Sequence, residues 1–334
     1  MLVLLGDIHF RDDTEYFKKI CEEFLDWYDK WQYNNKDNDL ILLGDLVESA
    51  ILSGRVVDYL YRFMFLSRFK SVNICVGNHC KKKINGITQL SYDFYRNNDK
   101  IHIYEELSEV EISGKKVLFM PYFLGVNQYS MNMHDYYSDV PFNKNLKFDS
   151  YDLVVGHFGG SDTIFPGNTD YVDNLDKIKT KHLILGHIHT RYINKDRYIG
   201  SVFACKKNEN DYSRCYVIID DNGERHDEPL PLFNEYLTVS YPDELPKSDA
   251  IVPIYTVLNC TSESLAVSRY NDIYIRRVTA DKTEAVQRRF VPGYDDFDSV
   301  KTLDMAQMLV SFFVEHPQYE EDLKNICLSM LKIK

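Results

Sequence analysis

Hydrophobic and polar positions along the first 190 residues repeat one device. A short apolar run ends in a glycine, and a carboxylate, amide or imidazole follows at once. It occurs at Leu2–Leu5 before Gly6-Asp7-Ile8-His9 and at Leu40–Leu43 before Gly44-Asp45. It recurs at Val72–Val76 before Gly77-Asn78-His79, at Leu153–Val155 before Gly156-His157, and at Leu183–Leu185 before Gly186-His187-Ile188-His189. Continuous apolar runs this short read as strands buried on both faces. Each therefore delivers polar groups to its C-terminal end, the edge at which open α/β sheets place their ligand sites.

Helical periodicity separates the runs. From Asp13 to about Trp31, apolar residues recur at Phe17, Ile20, Cys21, Phe24, Leu25 and Tyr28, which predicts a helix after the first strand. Residues 34–39 form a polar turn, and Val56 to Phe69 is a second amphipathic segment. Strand-helix alternation implies a sheet covered on both faces. Val110–Ile112 and Lys116–Met120 predict two strands around a Ser113-Gly114 turn. Residues 125–148 scatter Tyr129, Met131, Met133, Tyr136, Tyr137, Phe142 and Phe148 among polar residues. A loop beside the site and a surface insertion are both open readings. Ile199–Val202 and Cys215–Ile219 predict a strand pair, with a turn at Asp221-Asn222-Gly223. From about Leu232 the pattern changes to Glu235–Tyr241, Ile251–Leu258 and Asp272–Val278, strand-like segments of a small α+β unit. Thr302 to Lys334 reads as two amphipathic helices divided by His316-Pro317.

At 334 residues the chain is long for one core, so two or three domains are expected. It has no apolar run long enough for a membrane span, and its first apolar residues are too few for a secretory leader. The seven cysteines are scattered singly, which points to a reducing, cytoplasmic compartment. Net charge is −12. That counts against tight, autonomous DNA binding unless divalent cations meet the phosphates or a partner supplies a basic groove. A phosphate-binding G-x-x-x-x-G-K-[ST] loop is missing, so any use of ATP must come from another protein.

The chemistry lies at the strand ends. Asp7 and His9 are two apart, so in extended chain both point the same way. A carboxylate beside an imidazole suits Mn²⁺, Fe²⁺ or Zn²⁺ better than Ca²⁺ or Mg²⁺. His187 and His189 repeat that spacing, Asn78 offers a carbonyl oxygen and His157 a further nitrogen. Asp45 stands alone, where one carboxylate can bridge two ions. These seven metal-ligand candidates exceed one tetrahedral ion but suit two ions about 3.5–4 Å apart, which activate water and stabilise an in-line displacement at phosphorus. His79, next to Asn78, is the catalytic candidate, a proton donor to the leaving oxygen rather than a ligand.

This ordered set resembles the calcineurin-like metallophosphoesterase superfamily over roughly residues 1–223. The resemblance implies a four-layered α/β/β/α sandwich with a dinuclear site at the strand ends. It implies one ion on Asp7, His9, Asp45 and His189, and the other on Asp45, Asn78, His157 and His187. Within the superfamily the chain is most similar to the SbcCD-type DNA-repair nuclease subunits, and more so to the nuclease subunit of the recombination endonuclease of large tailed phages. Arg197–Ser201, then Asn208–Asp211 and a strand, carry that likeness, with the small strand-rich unit and terminal helices after it. It implies a nuclease domain over 1–232, a DNA-capping domain over 233–297 and a helical segment over 298–334 that binds an SMC-like ATPase partner. It further implies Mn²⁺-dependent exonuclease and endonuclease activity on DNA ends and a homodimer, in the host cytoplasm for a phage protein. Two positions depart from the pattern: Cys80 replaces the acidic residue usual after G-N-H, and Glu48 stands where some nucleases carry a histidine.

The remaining chemistry-bearing residues have plainer expectations. His102, His134, His182, His226 and His316 lie outside the motif and suit surface or capping roles. Arg276-Arg277 and Arg288-Arg289 read as a solvated face or as phosphate contacts. Tyr129–Tyr137 read as packing or as stacking platforms for bases. The Met and Phe stripe over 303–313 reads as core or as a partner surface. Two rival functions remain: a phosphatase or cyclic-nucleotide phosphodiesterase with the same motifs, and a non-catalytic scaffold.

Overall fold

The computed structural model describes residues 1–84, 87–122, 137, 146–160, 171–240 and 243–258, and 274–279 as backbone, with backbone alone also at 82–84 and 87–88. The predicted terminal helices and Arg288-Arg289 lie outside the described residues. In chain order the elements are β1 (Leu2–Leu5), α1 (Glu15–Asn34), β2 (Asp39–Leu42), α2 (Gly54–Leu60), β3 (Ser71–Cys75), β4 (Lys81–Ile84), β5 (Ile87–Leu90) and β6 (Ile101–Tyr104). There follow β7 (Ser108–Ile112), β8 (Lys115–Met120), β9 (Tyr151–His157), β10 (Gly159–Gly160), β11 (Tyr171–Val172), β12 (Thr180–Gly186), β13 (Cys215–Ile219), β14 (Arg225–Pro229), β15 (Asn234–Ser240), β16 (Val252–Leu258) and β17 (Tyr274–Thr279).

Two sheets form the body. The first has the order β14-β13-β1-β2-β3-β6, parallel from β1 through β6 and antiparallel at β13 and β14. The second has the order β12-β9-β8-β7, parallel except for the β7–β8 hairpin. Alternate residues of β1 divide between two cores. Leu2 and Leu4 face Val117, Phe119, Leu153 and Val155 of the second sheet, while Val3 and Leu5 pack beneath the helices. This is why the strands carry no polar face: both sides are covered. The outer face of the second sheet packs Leu118, Met120 and Val154 against Tyr137, Phe158 and Leu175. The expected α/β sandwich is thus present, its sheets face to face.

α1 begins where the Thr14 side chain accepts a hydrogen bond from Phe17 N–H (3.3 Å), with Glu15 in the favourable first turn. It buries Phe17, Ile20, Cys21, Phe24, Leu25, Tyr28 and Trp31, the stripe its periodicity predicts. α2 starts at a Ser53 cap and runs into one π-helical turn over Tyr61–Phe65. The small sheet β15-β16-β17 is parallel throughout. Its Phe233, Tyr236, Val252 and Ile254 join the helix-side core of the first sheet.

One expectation fails. Ile199–Val202 is not a strand, and β13 pairs instead with β14 across the 220–224 turn. The reason is Gly200, with φ +78°, which turns the segment so that Ser201 and Val202 N–H donate to the carbonyls of His189 and Asp7. Among the described residues no helix is long and apolar enough to cross a membrane.

Phe24 touches Phe10, Trp27, Tyr28, Phe63 and Phe233, so it joins α1 to the segment after β1, the π-helical turn after α2 and the residue before β15. Phe24→Ala should cost about 3–5 kcal/mol in urea unfolding. A loss under about 1 kcal/mol would show that this junction does not carry the core.

Candidate metal centre

Asp7 and His9 follow β1, Asp45 follows β2, Asn78 and His79 follow β3, His157 ends β9, and His187 and His189 follow β12. The two sheets bring these ends to one place. Asp7, His9, Asp45 and His157 are fully buried, and Asn78, His79, His187 and His189 partly so. His9, Asp45 and His187 have left-handed backbone, with φ of 54°, 38° and 75°. Non-glycine residues adopt that conformation at a cost of about 1–3 kcal/mol, and such strain gathers at functional sites. The preceding glycines are needed for close approach. A Cβ on Gly44 would overlap the His157 ring, and one on Gly77 would overlap the Asp45 carboxylate.

The donor atoms crowd one another. His9 Nε2 and His189 Nε2 are 3.0 Å apart. His157 Nε2 is 3.1 Å from Asp45 Oδ2 and 3.0 Å from Asn78 Oδ1. His187 Nδ1 is 3.2 Å from the same Asn78 oxygen, and Asp45 Oδ2 is 3.7 Å from His9 Nε2. Asp45 thus stands between a His9–His189 group and an Asn78–His157–His187 group. Asp7 Oδ2 accepts from His187 N–H at 2.9 Å, whereas its Oδ1, although wholly buried, has no hydrogen-bond partner.

The other ring nitrogens explain what the crowded ones need. His9 Nδ1–H donates to Glu48 Oε2 (2.8 Å), His157 Nδ1–H donates to the Leu43 carbonyl (2.7 Å), and His189 Nδ1 lies 3.2 Å from Glu209 Oε2. Each imidazole so held turns a lone pair inward, the arrangement of histidines that bind metal. Inward lone pairs facing one another and an unpartnered buried carboxylate oxygen require a cation between them. Burial opposes charge on His157, but Asp45 and then Asp7 carry it up to about 9. Burial and the neighbouring His157 push His187 down to about 3. Burial, with help from the nearby Asp45 charge, holds the Asp7 carboxyl above its usual range against His157, His189 and His9.

The calcineurin-like phosphoesterase family matches the chain over residues 1–191, more than half its length. The chain belongs to that family. No curated protein matches it. The activity is accordingly metal-dependent hydrolysis of a phosphoester, and the donors described above fit divalent ions in number, kind and orientation.

In this phosphoesterase a His79 ring nitrogen lies within 4.8 Å of ligand atoms of His9 and Asp45. The His79 backbone N–H donates to Asp45 Oδ1 (2.8 Å) and its Nδ1–H to the Glu48 carbonyl (2.7 Å). The ring is therefore oriented without the acidic residue usual in the next position. Cys80, which replaces that residue, is buried in the helix-side core, its thiol pushed up to about 12 by burial. Burial raises the Glu48 carboxyl, but the hydrogen bond from His9 and the charges of His9 and Arg11 bring it to about 2. Arg11 lies 3.4 Å from Glu48 Oε1, with its guanidinium 4.1 Å from the centre of the Phe17 ring.

Several functional neighbours escape the sequence. Glu209 orients His189 and also accepts from Cys205 and Lys206 N–H. Arg214, buried, donates to the carbonyls of Ser201, Glu209 and Asp211 and so clamps the irregular segment that carries Glu209. Asp211 accepts from Arg191 N–H just past His189. None of these residues shares a period or a spacing with the ligand candidates. Elsewhere, Tyr137 is core: its hydroxyl donates to the Pro121 carbonyl and its ring meets Phe158. Phe148 packs on the same core, and residues 123–136 lie outside the described residues. His182 donates to the Gly223 carbonyl, His226 pairs with Asp220 and His102 is exposed. His134 and His316 lie outside the described residues.

Two outcomes follow from the supporting contacts. Gly77→Ala should displace Asp45 and weaken divalent-metal binding roughly 10–100-fold with unchanged circular dichroism; unaltered metal affinity in a titration would show that this approach is not required. Burial raises the Asp211 carboxyl, but hydrogen bonds from Ser213 and Arg191 take it below 3.8. A depressed folded value stabilises above the unfolded one and is lost as pH falls through the folded one. Asp211→Asn should therefore lower Tm at pH 7, and its gap to wild type should narrow below pH 3.8. A gap independent of pH would contradict this.

Proposed function

We propose that the protein is a Mn²⁺-dependent DNA nuclease that hydrolyses phosphodiester bonds at DNA ends, the nuclease subunit of an SbcCD-like recombination and repair complex. The observation that carries the hydrolytic part is the pair of donor groups meeting at Asp45. The nucleic-acid part is supported by the segment from Arg197 to Asp211, which resembles that of the DNA-repair nucleases, and by the strand-rich unit after it. On this reading Asp7, His9, Asp45 and His189 hold one ion, and Asp45, Asn78, His157 and His187 the other. When bound, the ions supply Lewis acidity to the phosphate and an activated water.

The chain's own groups do the rest. Glu48, Asn78, His79 and Lys81 line an open cleft at the site. His79 commits Nδ1–H to the Glu48 carbonyl, which leaves Nε2 to carry the proton for the leaving oxygen. Glu48 and Glu209 hold His9 and His189 in the tautomer that turns Nε2 inward. Residues 233–297 cap the DNA, residues 298–334 bind an SMC-like ATPase, and the assembly is built on a homodimer of this chain.

A second reading, a phosphatase or phosphodiesterase of small esters, is favoured by the net charge of −12. With Mn²⁺ present, the nuclease reading expects cleavage of duplex ends as well as of a chromogenic phosphodiester. Cleavage of the small ester alone would overturn it. His79→Ala should retain both ions and lose about 10²–10⁴-fold in turnover. Asp45→Ala should lose both ions together in metal analysis, and full occupancy there would contradict its bridging place.

A further inference from the structure

Cys205 reaches the centre from the irregular segment after Gly200, not from a strand end. Its Sγ and a ring nitrogen of both His9 and His189 lie within 4.8 Å of one another. Cys205 is buried, and its Sγ–H has only a long contact to the Phe203 carbonyl, 3.9 Å, besides its interaction with His189. Glu209 Oε2 accepts from Cys205 N–H at 2.9 Å and lies 3.2 Å from His189 Nδ1, so one carboxylate fixes the thiol and the imidazole relative to each other. Asp7 Oδ1, on the residue two before His9, is wholly buried without a hydrogen-bond partner and lies 3.4 Å from His157 Nδ1, so this carboxylate is a further buried ligand group of the same centre.

The two halves of the centre then differ in chemistry. Asp45, Asn78, His157 and His187 offer hard oxygen with imidazole. Asp7, His9, Asp45 and His189 offer carboxylate oxygen with imidazole as well, but have the Cys205 sulfur beside them. Sulfur with imidazole selects zinc-like ions, whereas carboxylate and amide oxygen suit Mn²⁺.

We infer that Cys205 is a sulfur ligand of the ion gathered by His9 and His189, which makes that half of the centre selective for a thiophilic ion such as Zn²⁺ while the half without sulfur keeps Mn²⁺. This rests on the two-ion reading of the site. Coordination forms a sulfur–metal bond and breaks S–H, the proton passing to solvent with no change of oxidation state.

The full chain, stripped of metal and reloaded with one equivalent of zinc, tests this by zinc X-ray absorption with the bound metal counted. A sulfur shell at about 2.3 Å beside nitrogen and oxygen at about 2.0–2.1 Å is expected. With cobalt in place of zinc, a near-ultraviolet sulfur-to-metal charge-transfer band should appear, vanish in Cys205→Ser and survive in Cys80→Ser. Bound zinc with only nitrogen and oxygen neighbours, or a cobalt band that persists in Cys205→Ser, would overturn the sulfur ligand and leave the two-ion reading standing. Failure to bind any metal would overturn the two-ion reading itself. The absorption measurement on the wild type decides the matter even where Cys205→Ser does not fold.

Discussion

Mutual repulsion among inward-facing lone pairs is the constraint on which this structure turns. Two imidazole nitrogens 3.0 Å apart, each tied from behind so that it turns a lone pair to the other, repel one another in a dry interior. A chain free to relax would part them. It does not, because each imidazole is tied from behind: His9 by Glu48, His157 by the Leu43 carbonyl, His189 by Glu209. The backbone contributes through left-handed turns at His9, Asp45 and His187. A cation held between them converts this repulsion into attraction.

The means of holding such a site are ordinary packing. β1 and β2 are apolar on both faces because they lie between a helical layer and a second sheet, and their tips have little freedom to move. The aromatic contacts of Phe24 tie α1 to the segment after β1, to the π-helical turn after α2 and to the segment leading into β15. Side chains of β15 and β16 are built into the core that supports the β1 turn, so the later part of the chain is mechanically continuous with the metal-facing edge.

What could be read in the sequence was whatever had a local signature. An apolar run, a glycine and a donor form a short string, and the glycine is there because a neighbouring donor occupies the space of its Cβ, as at Gly44 and Gly77. The helix over Phe17 to Trp31 was legible for the same reason, a period that one stripe of burial imposes. Cys205 and Arg214 were not, and Glu209 was visible only as part of the Asn208–Asp211 stretch, without its bond to His189. They sit in a segment with no period, whose path is set by long-range hydrogen bonds from Ser201 and Val202 to His189 and Asp7. That segment looked like a strand because its residues are apolar, but Gly200 diverts it. Tyr137 was ambiguous among polar neighbours, and only its bond to Pro121 places it inside.

The bond from His157 to the Leu43 carbonyl spans the two sheets, since one residue ends β9 and the other follows β2. The gap between the sheets is thereby gauged by a single imidazole. Swelling the layer of Phe119, Val155 and Leu4 by one methylene would pull apart the donors of each half of the reactive centre, since both halves draw on both sheets, long before it melted the protein. Side-chain volume in that distant layer is therefore answerable to chemistry at the rim, and evolutionary drift there should be narrower than the demands of stability alone would set.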